Sequence, residues 1–222
     1  MGQALLRLAS EQPTLQVVGA VAREPERLPT LPGVHRLAAS ELHQAPPFDV
    51  AIDFSLPEGF DRILDLCVAR DAALVSGTTG LEPGQRESLA AAARQIPVLW
   101  ASNFSLGVAV LNDLVERAAQ ALKGWDCDIV ESHHVHKLDA PSGTALTLGE
   151  HARKGGAEPR YASLRAGDIV GEHLVQFTAL GERIELVHRA TNRDIFARGA
   201  LHCAGRLAGR PAGSYRVRDL LD

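Results

Sequence analysis

The sequence is poor in the features that mark secreted or membrane-spanning proteins. Its three cysteines, Cys67, Cys127 and Cys203, are an odd number at wide spacing, which argues against a disulfide framework and favours a reducing compartment. No apolar run approaches the ~20 residues that a membrane helix needs. The start also lacks the basic and apolar segments of a signal peptide. We therefore expect a cytoplasmic protein with no membrane partner.

An excess of positive charge is also absent. Lysine and arginine together number 23, against 27 aspartate and glutamate residues, for a net charge of -4. Without a broad basic surface, nucleic acid is not an expected partner. The hydrophobic fraction of 45% is ordinary for a globular protein. The 222 residues can therefore form one large domain or two small ones with real cores.

The residues that can carry chemistry are concentrated in one run, Glu131-Ser-His-His-Val-His-Lys-Leu-Asp-Ala-Pro-Ser-Gly-Thr-Ala145. Three imidazoles and one ammonium lie between His133 and Lys137. Ser142 and Thr144 are good helix N-caps, and the free backbone N–H groups of a helix start favour a carboxylate or a phosphate. The glycine between them lets a ligand approach the backbone closely. The run predicts a pocket for a small anion in which imidazoles move protons.

A metal site and a plain polar loop are the two alternatives for this run. Imidazole binds zinc, copper and iron, but the run contains no cysteine and no H-E-x-x-H or paired-ligand spacing. We therefore expect no metal. A solvated loop would explain any single histidine, and ordinary capping would explain the helix start. Lys137 and the helix start, standing beside three histidines, favour the anion pocket.

Periodicity predicts two kinds of sheet. In the first half, short apolar strands near 15–22, 48–54, 72–76 and 97–100 alternate with helices at 1–9, 57–70 and 83–95. This alternation is typical of a parallel sheet with crossover helices. After a helix at 108–122, strands are predicted at 126–131, 161–165, 172–178 and 183–188, before a helix at 194–207. A run of strands with few helices favours an open, mixed sheet in a second domain.

The run from Glu131 to Ala145 resembles the signature of the dihydrodipicolinate reductase family, pyridine-nucleotide enzymes of diaminopimelate and lysine biosynthesis. Further segments resemble the same family: Arg165-Ala-Gly-Asp-Ile-Val-Gly-Glu-His173, Gly181-Glu-Arg183, His188-Arg-Ala190, Phe196-Ala-Arg-Gly-Ala200 and Tyr215-Arg-Val-Arg-Asp219. The resemblance implies an α/β fold. A Rossmann-like dinucleotide-binding domain would span 1–103 and 194–222, and an α+β domain for substrate binding and oligomerisation would span 104–193.

The resemblance also implies an activity and roles for the residues of the run. The reaction would be the NAD(P)H-dependent reduction of 4-hydroxy-tetrahydrodipicolinate to tetrahydrodipicolinate, with hydride transfer to C4 and loss of water. His133 and Lys137 would be the catalytic proton donors or acceptors. His134, Gly143 and Thr144 would bind the small dicarboxylate substrate. The family resemblance further implies a homotetramer built through the sheet of the substrate domain.

Two loops that follow strands resemble the family's loops around the nicotinamide and its ribose. They supply the expected cofactor-binding residues Gly77, Thr78, Thr79, Ala101, Ser102, Asn103 and Phe104. Alone, a G-T-T-G segment is more often an ordinary turn. The family's Glu-Arg pair after the second strand is Ala22-Arg23 here, and an arginine without the acid favours NADPH over NADH. Glu24 can partly replace the missing carboxylate, and Arg23 without a ligand is the alternative.

The chief departure from the family is at the start. The first strand and most of the glycine-rich turn are absent, and Met1-Gly2 resembles the last two residues of the family's G-x-x-G-x-M-G turn. Either the sequence begins at an internal methionine, or the chain is shortened and exposes a hydrophobic sheet edge. A shortened chain suggests an alternative function, that of a dicarboxylate-binding protein whose catalysis is impaired by loss of nucleotide binding. Another Rossmann-type oxidoreductase, acting on an amino-acid-like substrate, is a second alternative.

Overall fold

The computed structural model describes all 222 residues. They divide into two compact units, one formed by Met1–Phe104 with Phe196–Asp222 and the other by Ser105–Ile195. None of the helices combines the length and the apolar character that crossing a membrane would require.

The chain has six α-helices, ten strands and three short 3-10 helices. The helices are α1 (Gly2–Ala9), α2 (Pro57–Ala69), α3 (Pro83–Ala92), α4 (Leu106–Ala121), α5 (Gly143–Lys154) and α6 (Asp194–Leu207). The strands are β1 (Gly19–Ala22), β2 (His35–Ala38), β3 (Val50–Asp53), β4 (Ala73–Ser76), β5 (Pro97–Trp100), β6 (Asp126–His133), β7 (Pro159–Arg165), β8 (Gly171–Ala179), β9 (Glu182–Ala190) and β10 (Gly213–Tyr215).

The first unit contains only parallel strands, as predicted for a Rossmann-like domain. Its larger sheet has the order β10-β5-β4-β3. Residues Phe60 and Leu64 of α2 pack against Leu74 and Val98 of this sheet, in a core completed by α3. All four residues of β4 are buried, because a strand with neighbours on both edges and helices packed on it is shielded from water. The alternation of strand and helix is therefore confirmed.

The sheet is interrupted between β1 and β3. Strand β1 pairs only with β2 and strand β3 only with β4, so each has one unpaired edge. Val21 of β1 is 45% exposed. The expected long strand over 15–22 is regular only at Gly19–Ala22, the four residues that pair with β2. Strand β2 was not predicted, since His35-Arg-Leu-Ala38 has neither an apolar run nor a clear alternation.

The second unit contains the predicted mixed sheet, in the order β7-β6-β8-β9. Strands β6 and β7 are parallel, whereas β8 is antiparallel to both β6 and β9. Helices α4 and α5 cover one face, where Leu111, Val115 and Leu148 pack on Ile129 and Phe177. Burial alternates strictly along β6 and most of β8. Every second side chain therefore faces the helices.

Helix α6 packs closely on the end of the loop that follows β5. A Cβ atom at Gly199 would lie 1.7 Å from the backbone oxygen of Phe104, whereas a Cβ at Gly205 of the same helix would meet only Leu15 Cδ2, at 3.5 Å. Gly199 thus lets the helix approach the backbone of the 101–104 loop. Because Gly199 has no side chain, the 101–104 loop can pack directly against helix α6.

We predict that Gly199→Ala lowers the free energy of unfolding by about 1–3 kcal/mol, since overpacking against backbone cannot be relieved by a rotamer change. Gly205→Ala is the matched control and should be neutral or stabilising by about 0.5–1 kcal/mol, because alanine is the better helix former. Thermal unfolding of both variants measures the difference. Equal stability of the two would contradict the close approach of α6 to Phe104.

Candidate active site

The histidine run begins on a strand, and this decides which of its side chains face inward. Strand β6 extends to His133, two residues further than predicted. Side chains two apart on a strand share a face, so Glu131 and His133 both point toward the helices, with exposures of 1% and 8%. The remaining histidines lie beyond the strand, in a loop that leads to α5. The sequence predicted His133 as a functional residue but gave Glu131 no role.

The carboxylate of Glu131 joins three parts of the second unit. His133 Nδ1 lies 2.5 Å from Oε2. Arg165 of β7 donates from Nη1 to Oε2 at 2.9 Å and from Nη2 to Oε1 at 2.8 Å. The backbone N–H of Ser142, the N-cap of α5, donates to Oε1 at 3.3 Å. One buried carboxylate therefore holds the histidine, the neighbouring strand and the start of the helix.

Arg165 also fastens the loop that carries Lys137. Its Nε donates to the backbone oxygen of Lys137 at 3.3 Å, and its Nη2 donates to that of Asp139 at 2.5 Å. The Lys137 ammonium pairs with Asp139 Oδ1 at 2.7 Å. The predicted proton donor Lys137 is thereby placed in the same hydrogen-bond network as His133. Neither Asp139 nor Arg165 was predicted as a site residue, because their contacts join positions far apart in the chain.

The start of α5 is organised by a serine and a buried histidine. Ser142 Oγ accepts from the backbone N–H of Ala145 at 3.3 Å, which confirms the predicted cap. The same oxygen lies 3.2 Å from Nε2 of His173 on β8. A Cβ at Gly143 would meet nothing within 4 Å. Space is therefore open beside Gly143, and the N–H groups at a helix start suit an anion, as the hydrogen bond from the Gly143 backbone to the Asp139 carboxylate illustrates.

The other predicted residues of this loop are less enclosed. His134 is half-buried, and its Nδ1 is shielded from solvent without a hydrogen-bond partner. His136 is exposed, with its ring centroid 6.3 Å from that of His134. Thr144 is half-buried in the first turn of α5. No group of three or more His, Cys, Asp or Glu side chains is arranged to hold a metal ion.

The electrostatics of the network keep Glu131 ionised and disfavour protonation of His133 and His173. Burial raises the pKa of Glu131, but hydrogen bonds from Arg165, Ser163 and His133 outweigh it and hold that pKa at about 2. Burial lowers the pKa of His133 more than Glu131 raises it, and Lys137 and Arg165 lower it further. Burial and the neighbouring His133 lower the pKa of His173 to about 4. Near neutral pH the site therefore holds the ionised carboxylate of Glu131 and the neutral imidazoles of His133 and His173.

The carboxyl ends of the parallel strands in the first unit are held by a second buried carboxylate. Asp53, 6% exposed, accepts from Ser76 Oγ at 2.8 Å, from Thr78 Oγ1 at 2.7 Å and from the backbone N–H of Ser55 at 2.9 Å. Trp100 Nε1 donates to the backbone oxygen of Thr78 at 2.8 Å. The Thr78 hydroxyl donates to Asp53 and its backbone N–H donates to Ser76 Oγ at 3.3 Å, so the polar groups of Thr78 hold the loop in place.

Some of the remaining predicted cofactor residues pack in the interior, and the others are partly or fully exposed. A Cβ at Gly77 would lie 2.2 Å from the ring of Phe54, and that ring packs on Phe104 at 5.4 Å between centroids. Gly77 is thus required for packing, and the Phe104 ring is buried. Thr79 and Ser102 are exposed, while Ala101 and Asn103 are half-buried. These hydroxyl and carboxamide groups suit the ribose and carboxamide of a nicotinamide nucleotide.

Arg23 lies directly after β1 and is exposed. The neighbouring Glu24 forms an ion pair with Arg27, with Nε and Oε2 2.6 Å apart. The one acid that could replace the family's missing carboxylate therefore already has a cationic partner. This arrangement leaves Arg23 without an acidic partner.

The chain is similar to known proteins along nearly its whole length. Residues 1–104 match the family model of the N-terminus of dihydrodipicolinate reductase, and residues 107–221 match that of its C-terminus. The 4-hydroxy-tetrahydrodipicolinate reductase of Stenotrophomonas maltophilia (strain R551-3) is 73% identical over 222 residues, which are 100% of this chain and 93% of the relative. That of Xanthomonas axonopodis pv. citri (strain 306) is 72% identical over 221 residues, with the same coverage.

Among solved structures, a dipicolinate-bound dihydrodipicolinate reductase from Paenisporosarcina sp. TG-14 has a TM-score of 0.82 at 20% sequence identity. The match covers 99% of this chain and 95% of that one. At this identity the likeness shows the fold, a parallel-sheet domain with a mixed-sheet domain. The family models together span nearly every residue. The chain belongs to the dihydrodipicolinate reductase family.

Proposed function

We propose that this protein reduces 4-hydroxy-tetrahydrodipicolinate to tetrahydrodipicolinate with NADPH or NADH, in diaminopimelate and lysine biosynthesis. The names of its relatives support the reaction. The observation that carries the proposal is the network through Glu131 and Arg165, which ties His133, the Lys137 loop and the start of α5 together. A proton-transfer group, a cation and an anion-binding helix start are the parts that a reductase of a small dicarboxylate needs.

The substrate has two carboxylates, and the second unit has two cationic or N–H-rich positions to receive them. We assign one carboxylate to the start of α5 at Gly143 and Thr144, where the helix dipole favours an anion. The other is assigned to His134 and Lys137. The orphan Nδ1 of His134 supports this assignment, since a shielded polar atom without a partner is uncommon unless a ligand or water completes it. The solved relative's dipicolinate has the same pair of carboxylates.

The overall reaction consumes one hydride and one proton and releases the substrate hydroxyl as water. The bound cofactor supplies the hydride, and the protein orients the reactants and handles charge. His133 is the group we assign to proton transfer at the substrate. Because its pKa is lowered, its imidazolium is a stronger acid than an ordinary histidine. Lys137, held by Asp139, is the second proton donor.

The nicotinamide cofactor is assigned to the first unit. Thr79 and Ser102 would contribute hydroxyls, with Asn103 and the backbone of Gly77 and Thr78 beside them. We propose NADPH as the preferred form, because Arg23 matches the position at which an arginine accommodates a 2′-phosphate. The ion pair of Glu24 with Arg27 supports this preference.

We further propose a homotetramer that assembles through the outer face of the mixed sheet, in the cytoplasm. The four-residue row Val187, Leu174, Val130 and Ala162 runs across this face on paired positions of β9, β8, β6 and β7. No helix of the unit packs on that side, and Val187 is 40% exposed. A continuous apolar row on an uncovered sheet face favours burial by another subunit. Three free, buried cysteines suit a reducing compartment.

Replacement of the proton-transfer groups tests the assignment of the reaction. His133→Gln and Lys137→Ala should each lower turnover about 100-fold or more, since general acid–base groups contribute roughly 10²–10⁴-fold. His136→Gln is the matched control in the same loop and should leave turnover nearly unchanged. Circular dichroism checks that all three fold. Near-normal turnover in both His133→Gln and Lys137→Ala would refute the assignment.

The cofactor preference can be tested at Arg23. Arg23→Ala should weaken NADPH binding about 10-fold or more and leave NADH binding almost unaltered, because a hydrogen bond to a charged group contributes ~1.5–3 kcal/mol. Arg94→Ala removes the same charge from the exposed segment between α3 and β5, outside the proposed cofactor residues, and serves as the control. Fluorescence titration with each nucleotide gives the affinities. A preference of the unmodified protein for NADH would overturn the proposal.

The assembly can be tested at the outer sheet face. Val187→Glu should convert the tetramer into smaller species, since burying an unpaired carboxylate in an interface is unfavourable. Leu180→Glu, in the fully exposed turn between β8 and β9, should not. Light scattering after gel filtration measures the mass of each. A monomeric unmodified protein would contradict the tetramer.

A further inference from the structure

We propose that Glu131 is the positioning residue of the reduction: held by the Arg165 guanidinium, it accepts the Nδ1 proton of His133 and leaves Nε2 as the atom that exchanges a proton with the substrate. This inference rests on the proposed function for the role of His133. It adds a group that does not touch the substrate and acts through the histidine.

The tautomer of His133 follows from its partner. An ionised carboxylate can only accept hydrogen bonds, so the imidazole nitrogen that faces it must carry the proton. Nδ1 faces Glu131 Oε2, and a neutral ring with a proton on Nδ1 has its lone pair on Nε2. Arg165 occupies both oxygens of Glu131 in a fork geometry. The carboxylate therefore cannot rotate away from the ring without breaking two charge-assisted hydrogen bonds.

The surroundings of Nε2 support its assignment as the atom of His133 that exchanges a proton with the substrate. A Cβ at Gly171, the first residue of β8, would lie 3.0 Å from Nε2 of His133. Gly171 is not among the residues with a positive φ, so its backbone does not require glycine. The missing side chain instead keeps the Nε2 side of the ring clear. Any larger residue there would crowd the atom that has to meet a ligand.

The charges around His133 set the direction of its proton transfer. Four titratable or charged groups face the ring, namely Glu131 of β6, Lys137 of the loop, Arg165 of β7 and His173 of β8. Only Glu131 stabilises the imidazolium. Burial, Lys137 and Arg165 all lower the pKa of His133. Glu131 thus favours the protonated ring, and the other groups favour release of its proton.

The test is Glu131→Gln, whose amide keeps the shape but can donate as well as accept. Imidazole ¹⁵N NMR should find the proton of His133 on Nδ1 in the unmodified protein and a loss of that preference in the variant. Turnover should fall about 10-fold or more, because Glu131 acts through a general acid–base group that itself contributes roughly 10²–10⁴-fold. The limb of the pH profile that reports His133 should move to lower pH.

Two further variants make the test specific. Glu116→Gln removes the carboxylate from the Glu116–His151 pair between α4 and α5, where Oε2 and Nδ1 are 2.9 Å apart, and should change neither the His133 signals nor the pH profile. Glu131→Gln combined with Arg165→Met removes both charges, so it avoids an unpaired guanidinium if the single variant unfolds. It should also lose the Nδ1 preference of His133.

The outcomes separate this inference from the proposed function. An unchanged His133 tautomer and an unchanged pH profile in folded Glu131→Gln or in the double variant would overturn the role of Glu131. The NMR measurement needs no catalysis. If the unmodified protein shows the expected tautomer but no reductase activity, the proposed function fails while the hydrogen-bond assignment stands.

Discussion

A single buried carboxylate organises the second unit. Glu131 is 1% exposed, yet it stays ionised because the Arg165 guanidinium, His133 and the N–H of Ser142 surround it. A buried charge is tolerated only when it is paired and hydrogen-bonded. Each of those partners belongs to a different element, so satisfying one carboxylate fixes the strand end, the adjacent strand and the helix start at once. The geometry of the site is a consequence of that requirement.

The same solution recurs in the first unit, where Asp53 collects the Ser76 and Thr78 hydroxyls and the N–H of Ser55. In both units an acidic side chain at or near a strand end is removed from solvent and used to hold a loop. Neither Glu131 nor Asp53 is assigned a contact with a ligand. They convert flexible segments, which would lose entropy on binding, into preorganised ones.

The sequence predicted the parts of the site that lie close together in the chain. The His133–Lys137 cluster and the cap at Ser142 could be identified because each is a local pattern. Arg165 and His173 reach Glu131 and Ser142 across 34 and 31 positions, and no local periodicity encodes such contacts. Most strands and helices could be predicted because apolar periodicity marks core-facing segments. Strand β2 has no such periodicity and was missed, since it is ordered mainly by pairing with β1.

Calorimetric titration with dipicolinate and with NADPH, each alone and then together, tests the central claim most directly. The account predicts that both bind to the unmodified protein, and that His133→Gln together with Lys137→Ala weakens dipicolinate binding but leaves NADPH binding in place. Binding of dipicolinate without any binding of NADPH, or of NADH in a parallel titration, would support a dicarboxylate-binding protein instead of a reductase. Absence of dipicolinate binding would contradict the site itself.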